Sequence, residues 1–563
     1  MTHFLDHYTL RYTPLSPIHI GADESYEPGN YVIDDEGGAL YSFNSQTAVT
    51  GLGEKEKKEL LTIVNGKPDD LMLTKVQAFF HKHRESLIAY ANSPVPTANG
   101  INELYEKRIG KAAQHEGQGR RVINKLEIER TFYNPVDGKP LLPGSSIKGA
   151  IRTALLDSIN NGKQLNDRNI RNQVLQERLL EGKFHTDPFR LVSIADASWQ
   201  GSQNKPACQI KFAVNRKRKP VVKDGLLLKS QAEANNLYQL LECVSPHHYQ
   251  SFTGAMTLLN TRSINLGNPK LPKQDFRWSI KEIAKACNEF YVKLFWDEFY
   301  AIKDRGYLNT VWLEQLKDLI DLIDNDLSKR LVMGEAFLLR VGRHSGADAL
   351  TLNGIRNIRI MQGRGQPAGW ASQPKTWWLA ADESSSNREM LPFGWVLVEI
   401  NPTEPDTKLQ KWLESSHDKL TTWMQNQLVR QEMLKEADKE RQEKLLTIKQ
   451  KELKDALEAE EEAAKAELKR QEEETRLAQL PQYEQDIAEL LNAKKDPNKK
   501  DYLVLIDAVK AGQWQGSDKQ LVLEDIQARM QDLKEWRPTT NKKDPTKDKE
   551  YTRTIEVIKL MSS

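Results

Sequence analysis

The fold of the first 400 residues is decided by one stretch: Lys139-Pro140-Leu141-Leu142-Pro143-Gly144-Ser145-Ser146-Ile147-Lys148-Gly149-Ala150-Ile151-Arg152. A Pro-Gly turn ahead of helix formers predicts a helix that begins at Ser145 or Ser146, either of which is a natural N-cap, with Gly144 relieving the turn. Lys148 and Arg152 are one turn apart and share a helix face. Free N–H groups, two hydroxyls and two cations at such a terminus suit a phosphate. The alternative is an ordinary capped helix with solvated cations.

A second segment joins an apolar strand to a glycine-rich loop: Phe337-Leu338-Leu339-Arg340-Val341-Gly342-Arg343-His344-Ser345-Gly346-Ala347. Glycine lets a backbone approach a ligand closely, as we expect of Gly342 and Gly346. The guanidinium groups of Arg340 and Arg343 suit phosphate oxygens, and the ring of His344 suits stacking on a base. A surface hairpin without a ligand is the alternative.

Two shorter segments complete the candidate sites. The basic run 215–219, which contains Arg216 and Arg218, follows a predicted strand, where it suits a phosphate backbone or is simply solvated. His19 lies among apolar residues in Thr13–Gly21, which favours a buried structural histidine over one that faces RNA.

Local patterns predict mixed helices and strands before residue 402. Alternation predicts a strand over His7–Tyr12, and Asp34-Asp35-Glu36-Gly37-Gly38 is typical of a hairpin turn. Further strands are expected at Leu191–Ile194 and Ala207–Ala213. The predicted helices are Lys55–Val64, Asp69–Tyr90, Ile147–Leu156, Gln231–Cys243 and Ser279–Ile302.

The composition changes after Pro402-Thr403-Glu404-Pro405. Residues 406–480 contain neither glycine nor proline and are rich in strong helix formers. Their apolar seam is interrupted, so a coiled coil, a solvated single helix and a helical hairpin all fit. Residues 481–563 predict a small helical domain in which Thr552–Ile558 forms a strand or packs against the helices. The predicted domains are therefore 1–402, 406–480 and 481–563.

Bulk properties exclude several classes of protein. Net charge is only +2, so a nucleic-acid site must come from local basic clusters. No apolar run is long enough for a membrane span, and the N-terminus lacks the pattern of a signal peptide. Three scattered cysteines predict buried thiols and a cytoplasmic protein, with no metal site. No cofactor is expected.

The segments resemble those of the RAMP superfamily of CRISPR proteins, in the family's order along the chain. Leu15–Gly21 is similar to the first-strand signature, Pro143–Arg152 to the helix signature, Arg340–Thr351 to the glycine-rich loop and Pro392–Val396 to the closing strand. The combination most resembles the subunit that caps the crRNA 3′ side of type III-A (Csm) effector complexes. The resemblance spans about residues 5–400.

The resemblance implies an α+β fold of ferredoxin-like (RRM-like) modules with helical insertions, here followed by the long charged helix and the small helical domain. It implies binding of crRNA and target nucleic acid, and contacts with a neighbouring RAMP backbone subunit and a helical small subunit. The residues that would contact RNA are Ser145, Ser146, Lys148, Arg152, Arg340, Gly342, Arg343, His344 and Gly346. The C-terminal extension is expected to be a partner-docking arm.

An endoribonuclease that processes guides or cuts targets is the competing hypothesis. Its candidate residues are Asp23, Glu24 and His19, because a carboxylate can hold a metal ion or orient a ribose hydroxyl. Metal-ligand and paired-carboxylate spacings do not stand out, and Asp34-Asp35-Glu36 is explained by turn chemistry. We therefore expect a subunit that is not an enzyme.

Overall fold

Two units make up the computed structural model, Met1–Glu440 and Arg441–Ser563. The structure describes residues 4–27, 29–111, 114–116, 120–122, 126–164, 170–261, 271–320, 326–360, 365–414 and 417–563. The described strands are β1 Leu5–Pro14, β2 Gly21–Tyr26, β3 Tyr31–Asp34, β4 Ala39–Ser42, β5 Val95–Pro96, β6 Gln114–Glu116, β7 Arg120–Val122, β8 Ile128–Thr131, β9 Leu141–Leu142, β10 Val192–Ile194, β11 Ala197–Trp199, β12 Cys208–Lys217, β13 Val221–Lys223, β14 Leu226–Leu228, β15 Tyr238–Val244, β16 Phe252–Leu259, β17 Ala336–Arg340, β18 Ile358–Ile360, β19 Gly369–Ala371, β20 Thr376–Ala381, β21 Leu391–Pro392 and β22 Trp395–Ile400.

The described helices alternate with these strands and then replace them. They are α1 Ser45–Gly51, α2 Glu54–Val64, α3 Asp70–Lys82, α4 Arg84–Ile88, α5 Asn99–Arg108, α6 Gly144–Asn160, α7 Asn172–Leu179, α8 Gln231–Ala234, α9 Ile280–Asp304, α10 Thr310–Ile320, α11 Asp326–Met333, α12 Thr407–Glu414, α13 His417–Ala478, α14 Gln482–Asn492, α15 Asp501–Lys510, α16 Gly516–Asp532 and α17 Lys549–Ser562. Among the described residues, no helix combines the length and apolar character needed to cross a membrane.

A large antiparallel sheet, sheet A, has the strand order β17-β22-β1-β16-β11-β9, with β10 also paired to β16. Along the chain, β1, α6, β10 and β11, β16, α9 and β22 follow one another as βαββαβ. Numbered in that sequence, the strands lie in the order 4-1-3-2, which is the ferredoxin-like arrangement, and β17 adds an edge strand. The predicted fold class is therefore confirmed for this sheet.

Helix α6 covers sheet A because its apolar residues recur every three or four positions, as in Ile147, Ile151 and Ala154, all fully buried. The hydroxyl of Tyr291 in α9 donates to the carbonyl of Ala150 at 3.0 Å, which joins the two covering helices.

Sheet B has the order β2-β8-β15-β12-β20-β21, with β8 and β15 parallel. The prediction of one helix over Gln231–Cys243 is wrong. The helix α8 stops at Ala234, and Asn236 follows in the left-handed conformation at φ 48°. Strand β15 then pairs along β12, so non-local pairing determines its structure.

Helix α13 runs without interruption from His417 to Ala478, so the helical hairpin considered above is wrong. At 1.5 Å per residue it is about 93 Å long. Its N-terminal part belongs to the first unit: Trp423 Nε1 donates to the carbonyl of Gly37 at 2.7 Å, and Arg430 lies 2.9 Å from the buried carboxylate of Asp34. The N-terminal part of α13 thus packs against the β3–β4 hairpin, which the sequence predicted from its turn.

In the second unit, helices α14 to α17 enclose a small core that includes Trp514 and Val557. The strand considered for Thr552–Ile558 is wrong, since α17 covers these residues. Asp548 caps that helix by accepting from the N–H of Tyr551. Thr554 and Val557 lie one turn apart and are both buried, which is helical rather than alternating burial.

Candidate nucleic-acid interface

The glycine-rich loop, defined as residues 341–346, is held by backbone hydrogen bonds to the segment that follows β1. The N–H of Arg343 donates to the carbonyl of His19 at 2.8 Å, and the N–H of Gly394 donates to that of Pro17 at 2.9 Å. Gly342 has φ +84°, and a Cβ there would collide with the carbonyl of His19. Three of the four segments that resemble RAMP signatures therefore meet at one place: Leu15–Gly21, Arg340–Thr351 and Pro392–Val396.

Arg340 does not face solvent, which corrects the expectation that its guanidinium contacts RNA. It lies 2.8 Å from Glu298, and both side chains are 2% exposed. Its Nε also donates to the carbonyl of Phe393 at 3.0 Å. Because β17 is buried on both faces, this terminal arginine points into the core and fixes the start of the loop.

Arg343 is the exposed cation of the glycine-rich loop. Its side chain is 39% exposed and forms an ion pair with Glu129, which is itself 33% exposed. Exposed pairs of this kind contribute about 0–1 kcal/mol, so a phosphate can replace the carboxylate at little cost. Arg343 and Arg340 thus differ in role although they are three residues apart.

His344 is held inside the protein, contrary to the expectation that its ring is free to stack on a base. The ring stacks on Trp378 with centroids 4.8 Å apart, and Nε2 donates to Gln239 Oε1 at 2.9 Å. Burial, followed by the nearby charge of Arg343, lowers the pKa of His344 to about 3. The ring is therefore neutral at physiological pH and serves to position the loop.

The loop ends at Gly346, which has φ +79° and precedes a short 3-10 helix, Ala347–Leu350. Asp348 in that helix is buried and lies 2.5 Å from the guanidinium of Arg218 and 3.4 Å from that of Arg356. Arg218 therefore joins the end of β12 to the loop instead of standing free.

Arg216 is buried, which corrects its prediction as an RNA contact. Its Nε donates to the carbonyl of Ser386 at 2.9 Å, and Nη2 donates to that of Ser384 at 3.2 Å. The basic run keeps Lys219 exposed, whereas its first arginine ties β12 to a neighbouring loop.

The start of α6 differs from the predicted capped terminus. Pro143 occupies the N-cap position, so the N-cap role of Ser145 or Ser146 is wrong. The N–H of Gly144 donates to Asp196 Oδ1 at 2.7 Å, which means that a carboxylate of the protein already occupies the anion position. A Cβ at Gly144 would collide with the carbonyl of Ile194. Ser145 is exposed and Ser146 half-buried.

The two cations of α6 also have partners within the chain. Lys148 Nζ donates to the carbonyl of Val192 at 2.6 Å, and burial lowers the pKa of its ammonium. Arg152 pairs with Asp187 at 2.5 Å and donates from Nε to Gln176 at 2.9 Å. They share a face as predicted, but that face packs on β10 and α7.

Comparison with known families now identifies the fold. A model of the RAMP superfamily matches residues 11–328, more than half of the chain.

The chain belongs to the RAMP superfamily.

Within this RAMP protein, the match includes the first-strand and helix segments and stops before the glycine-rich loop. The solved structures that are similar to it include the following two. One is a chain of the cryo-EM structure of a Csm-crRNA-target RNA ternary complex in a type III-A CRISPR-Cas system, with 17% identity, coverage of 69% of this chain and 100% of that chain, and a TM-score of 0.41. The other is the crystal structure of T. onnurineus Csm5, with 15% identity, coverage of 69% and 99%, and a TM-score of 0.39. No curated protein sequence matches.

His19 of this RAMP protein is fully buried, as expected from its apolar neighbours. Its Nδ1 donates to the carbonyl of Glu242 at 2.7 Å, and burial lowers the pKa of the ring. Its Nε2 has no hydrogen-bond partner among the described residues. The imidazole therefore supports the backbone that holds Arg343.

Sequence reasoning missed strand β8, which supplies the ion-pair partner of Arg343. Glu129 is its ion-pair partner, and the guanidinium of Arg130 lies 3.8 Å from the ring centre of Tyr133 and 4.6 Å from that of Tyr26. The alternation of apolar and charged residues in Leu126-Glu127-Ile128-Glu129 was an available signal for this strand.

Two of the residues considered for a nuclease, His19 and Glu24, have structural partners. Glu24 accepts from the hydroxyl of Tyr133 at 2.7 Å and lies 3.5 Å from Arg130. Asp23 has φ 55° at an irregularity in the pairing of β2 with β8. His19 and Glu24 are thus both engaged in holding sheet B and its connection to sheet A.

Proposed function

We propose that this RAMP protein is a non-catalytic, crRNA-binding subunit of a type III CRISPR effector complex that caps the 3′ side of the crRNA. The observation that supports RNA binding best is Arg343, an exposed guanidinium on a loop that backbone hydrogen bonds fix to His19. A guanidinium held on a rigid glycine-containing loop can approach a sugar-phosphate backbone closely and bind it through two parallel hydrogen bonds.

The contact forms by exchange of anions at Arg343. In the free protein Glu129 neutralises the guanidinium, and an incoming phosphate takes the place of that carboxylate. The buried pair of Arg340 and Glu298 holds the base of the loop during this exchange. A second proposed contact region lies at the start of α6, where Ser145 is exposed and Ser146, Lys148 and Arg152 are half-buried; a phosphate there would exchange with the carboxylate of Asp187 at Arg152.

Non-catalytic function agrees with the roles of the candidate acids and bases. His19 is buried against a carbonyl, and Glu24 is tied to Tyr133 and Arg130, so each supports the frame of the interface. We propose crRNA and target nucleic acid as ligands, and a neighbouring RAMP backbone subunit and a helical small subunit as protein partners. The exposed apolar hairpin β13–β14, with Leu226 and Leu227 at 68% and 71% exposure, is suited to such a protein contact.

The C-terminal extension is proposed to be the partner-docking arm of this subunit. Its helix α13 is anchored on the β3–β4 hairpin through Trp423 and Arg430 and continues as a charged helix. Ion pairs within the helix, such as Lys454 with Glu458 at 3.6 Å, support it in solvent.

Salt-dependent binding of a guide-length single-stranded RNA tests the proposed function. We expect Arg343→Ala to weaken binding and to reduce the slope of log K against log salt by about 0.7, the value of one lost phosphate contact on a single strand. Lys82→Ala is the matched control, because it removes another exposed cation paired with a glutamate, here Glu59 in the α2–α3 region. An unchanged slope for Arg343→Ala would contradict the assignment.

The same preparation separates a structural subunit from a nuclease. Labelled RNA is incubated with the purified protein with and without Mg²⁺. We expect the RNA to stay intact in both samples. Discrete cleavage that disappears in His19→Ala or Asp23→Ala would instead support the endoribonuclease hypothesis.

A further inference from the structure

The solvent-exposed part of α13 carries a narrow apolar stripe with a regular spacing. Its members are separated by seven, four, seven and four residues: Leu446, Leu453, Leu457, Ala464 and Leu468. An α-helix turns by about 100° per residue, so 11 residues complete three turns with an excess of only roughly 20°. The five side chains therefore lie along one face of a nearly straight helix.

This face has no cover within the described structure. The leucines at positions 446, 453, 457 and 468 are 58%, 64%, 54% and 57% exposed. Regularly spaced leucines on an otherwise charged helix are typical of a surface that packs against another helix.

Charge is distributed unequally on the two sides of Leu457. Residues 441–457 contain five basic and three acidic residues, whereas residues 458–474 contain three basic and eight acidic residues. The first half is therefore positive by two charges and the second negative by five. A parallel pair of such helices would place the acidic halves side by side, whereas an antiparallel pair places each acidic half against a basic half.

The stripe is symmetric about the same residue. Leu446 and Leu468 are each 11 positions from Leu457. In an antiparallel pair centred there, Leu457 meets its counterpart in the second copy, and Leu446 of each copy meets Leu468 of the other. The register that places Leu446 against Leu468 is thus also the register that places the basic half of each helix against the acidic half of the other.

We propose that the exposed half of α13 pairs with the same segment of a second copy of this chain, antiparallel and centred on Leu457. The proposal rests on the proposed role of the extension as a docking arm and names its partner. It is independent of RNA binding at Arg343, which a different measurement tests.

Single cysteines in the full-length chain determine the orientation. The three native cysteines are buried, so an engineered surface cysteine is the one that oxidises readily. We expect Leu457→Cys to give a disulfide-linked dimer. Leu446→Cys alone should not, because two copies of residue 446 would be about 33 Å apart and a disulfide requires Cα atoms within about 7 Å.

A mixture of Leu446→Cys and Leu468→Cys proteins should cross-link to a heterodimer. The matched control is Asp455→Cys, which lies on the opposite side of the helix from the stripe and should form no disulfide-linked dimer under oxidation. Cross-linking of Leu446→Cys with itself would show a parallel pair and overturn the proposal.

Sedimentation of the uncross-linked protein provides the second measurement. The wild-type chain should dimerise in a concentration-dependent way, and Leu457→Glu should raise the dissociation constant at least tenfold without a change in helix content by circular dichroism. A wild-type chain that is monomeric at all concentrations, with no cross-linking at position 457, would also overturn the proposal. RNA binding by Leu457→Glu should equal that of the wild type.

Discussion

Arg340 and Glu298 form an ion pair of 2.8 Å in which both side chains are 2% exposed, directly below the loop that presents Arg343. The second carboxylate oxygen of Glu298 accepts from Trp395 Nε1 at 3.1 Å, so the pair also fixes strand β22. One buried carboxylate thus connects α9, β17 and β22 at the base of the glycine-rich loop.

We expect Arg340→Ala to lower the free energy of unfolding of the first unit by about 3–5 kcal/mol, because the change leaves Glu298 charged and buried. Arg343→Ala should lower it by less than about 1 kcal/mol, because its pair with Glu129 is exposed. Urea denaturation followed by tryptophan fluorescence measures both, and Trp395 beside the pair reports on this region. Equal losses in the two variants would contradict the division of roles.

We expect Gly342→Ala to reduce RNA affinity, because the new Cβ would collide with the carbonyl of His19 and displace the loop. Gly138→Ala is the matched control: its φ is +67°, so it carries similar backbone strain, but no atom lies within 4 Å of the added Cβ. The measurement is RNA affinity at one salt concentration. Comparable losses in both variants would mean that strain, and not the position of the loop, is responsible.

The elements around the interface were predictable where local patterns determine them. The start of α6 follows from its Pro-Gly turn and the spacing of Lys148 and Arg152, and the structure begins that helix at Gly144. The carboxylates that bind Arg152 and the N–H of Gly144, Asp187 and Asp196 respectively, lie far along the chain in a connection with no distinctive pattern. The spacing of Lys148 and Arg152 therefore predicts that they share a helix face, but it does not predict which residues pack against that face.

The difference between Arg340 and Arg343 had a partial signal in the sequence. Residues 336–339 are all apolar, which indicates a strand buried on both faces, and Arg340 continues that strand. Its partner Glu298 comes from the middle of a helix 42 residues earlier and could not be identified from spacing. The helix predicted over Gln231–Cys243 is wrong for a similar reason, because β15 forms through its non-local pairing with β12.

We expect the stability of the first unit to decrease on acidification, in part because of His344. Its folded pKa of about 3 lies below the ordinary value of about 6.5, so between these values the unfolded chain binds a proton that the folded chain does not. The stability that the folded protein gains from excluding this proton from His344 is fully present above about pH 6.5. The free energy of unfolding then declines as the pH falls toward 3, by at most about 1.4 kcal/mol per pH unit.

Urea denaturation at pH 7.5 and 5.0 measures this effect in the wild type and in His344→Gln. The variant should lose less stability between the two pH values, although His19 and His247, whose pKa values are also lowered by burial, leave part of the dependence. An identical loss in both proteins would show that His344 is not excluded from protonation.

We expect truncation after Glu440 and truncation after Pro405 to have different consequences. The first keeps Arg430 beside Asp34, Trp423 on the carbonyl of Gly37, and Gln427 at 2.9 Å from the hydroxyl of Tyr41. The second removes all three contacts and leaves Asp34 buried without its guanidinium partner. Only the longer protein should retain the thermal stability of the first unit and the wild-type RNA affinity.

Arg430→Ala in the full-length chain isolates the ion pair from the rest of that contact. Asp34 is fully buried, and burial raises the pKa of its carboxyl despite the opposing charge of Arg430. Without the arginine, the carboxyl should protonate at a higher pH, so the stability lost by the variant should be greater at pH 8 than at pH 5. A loss that is independent of pH would mean that α13 is held by Trp423 and Gln427 and that the ion pair adds little.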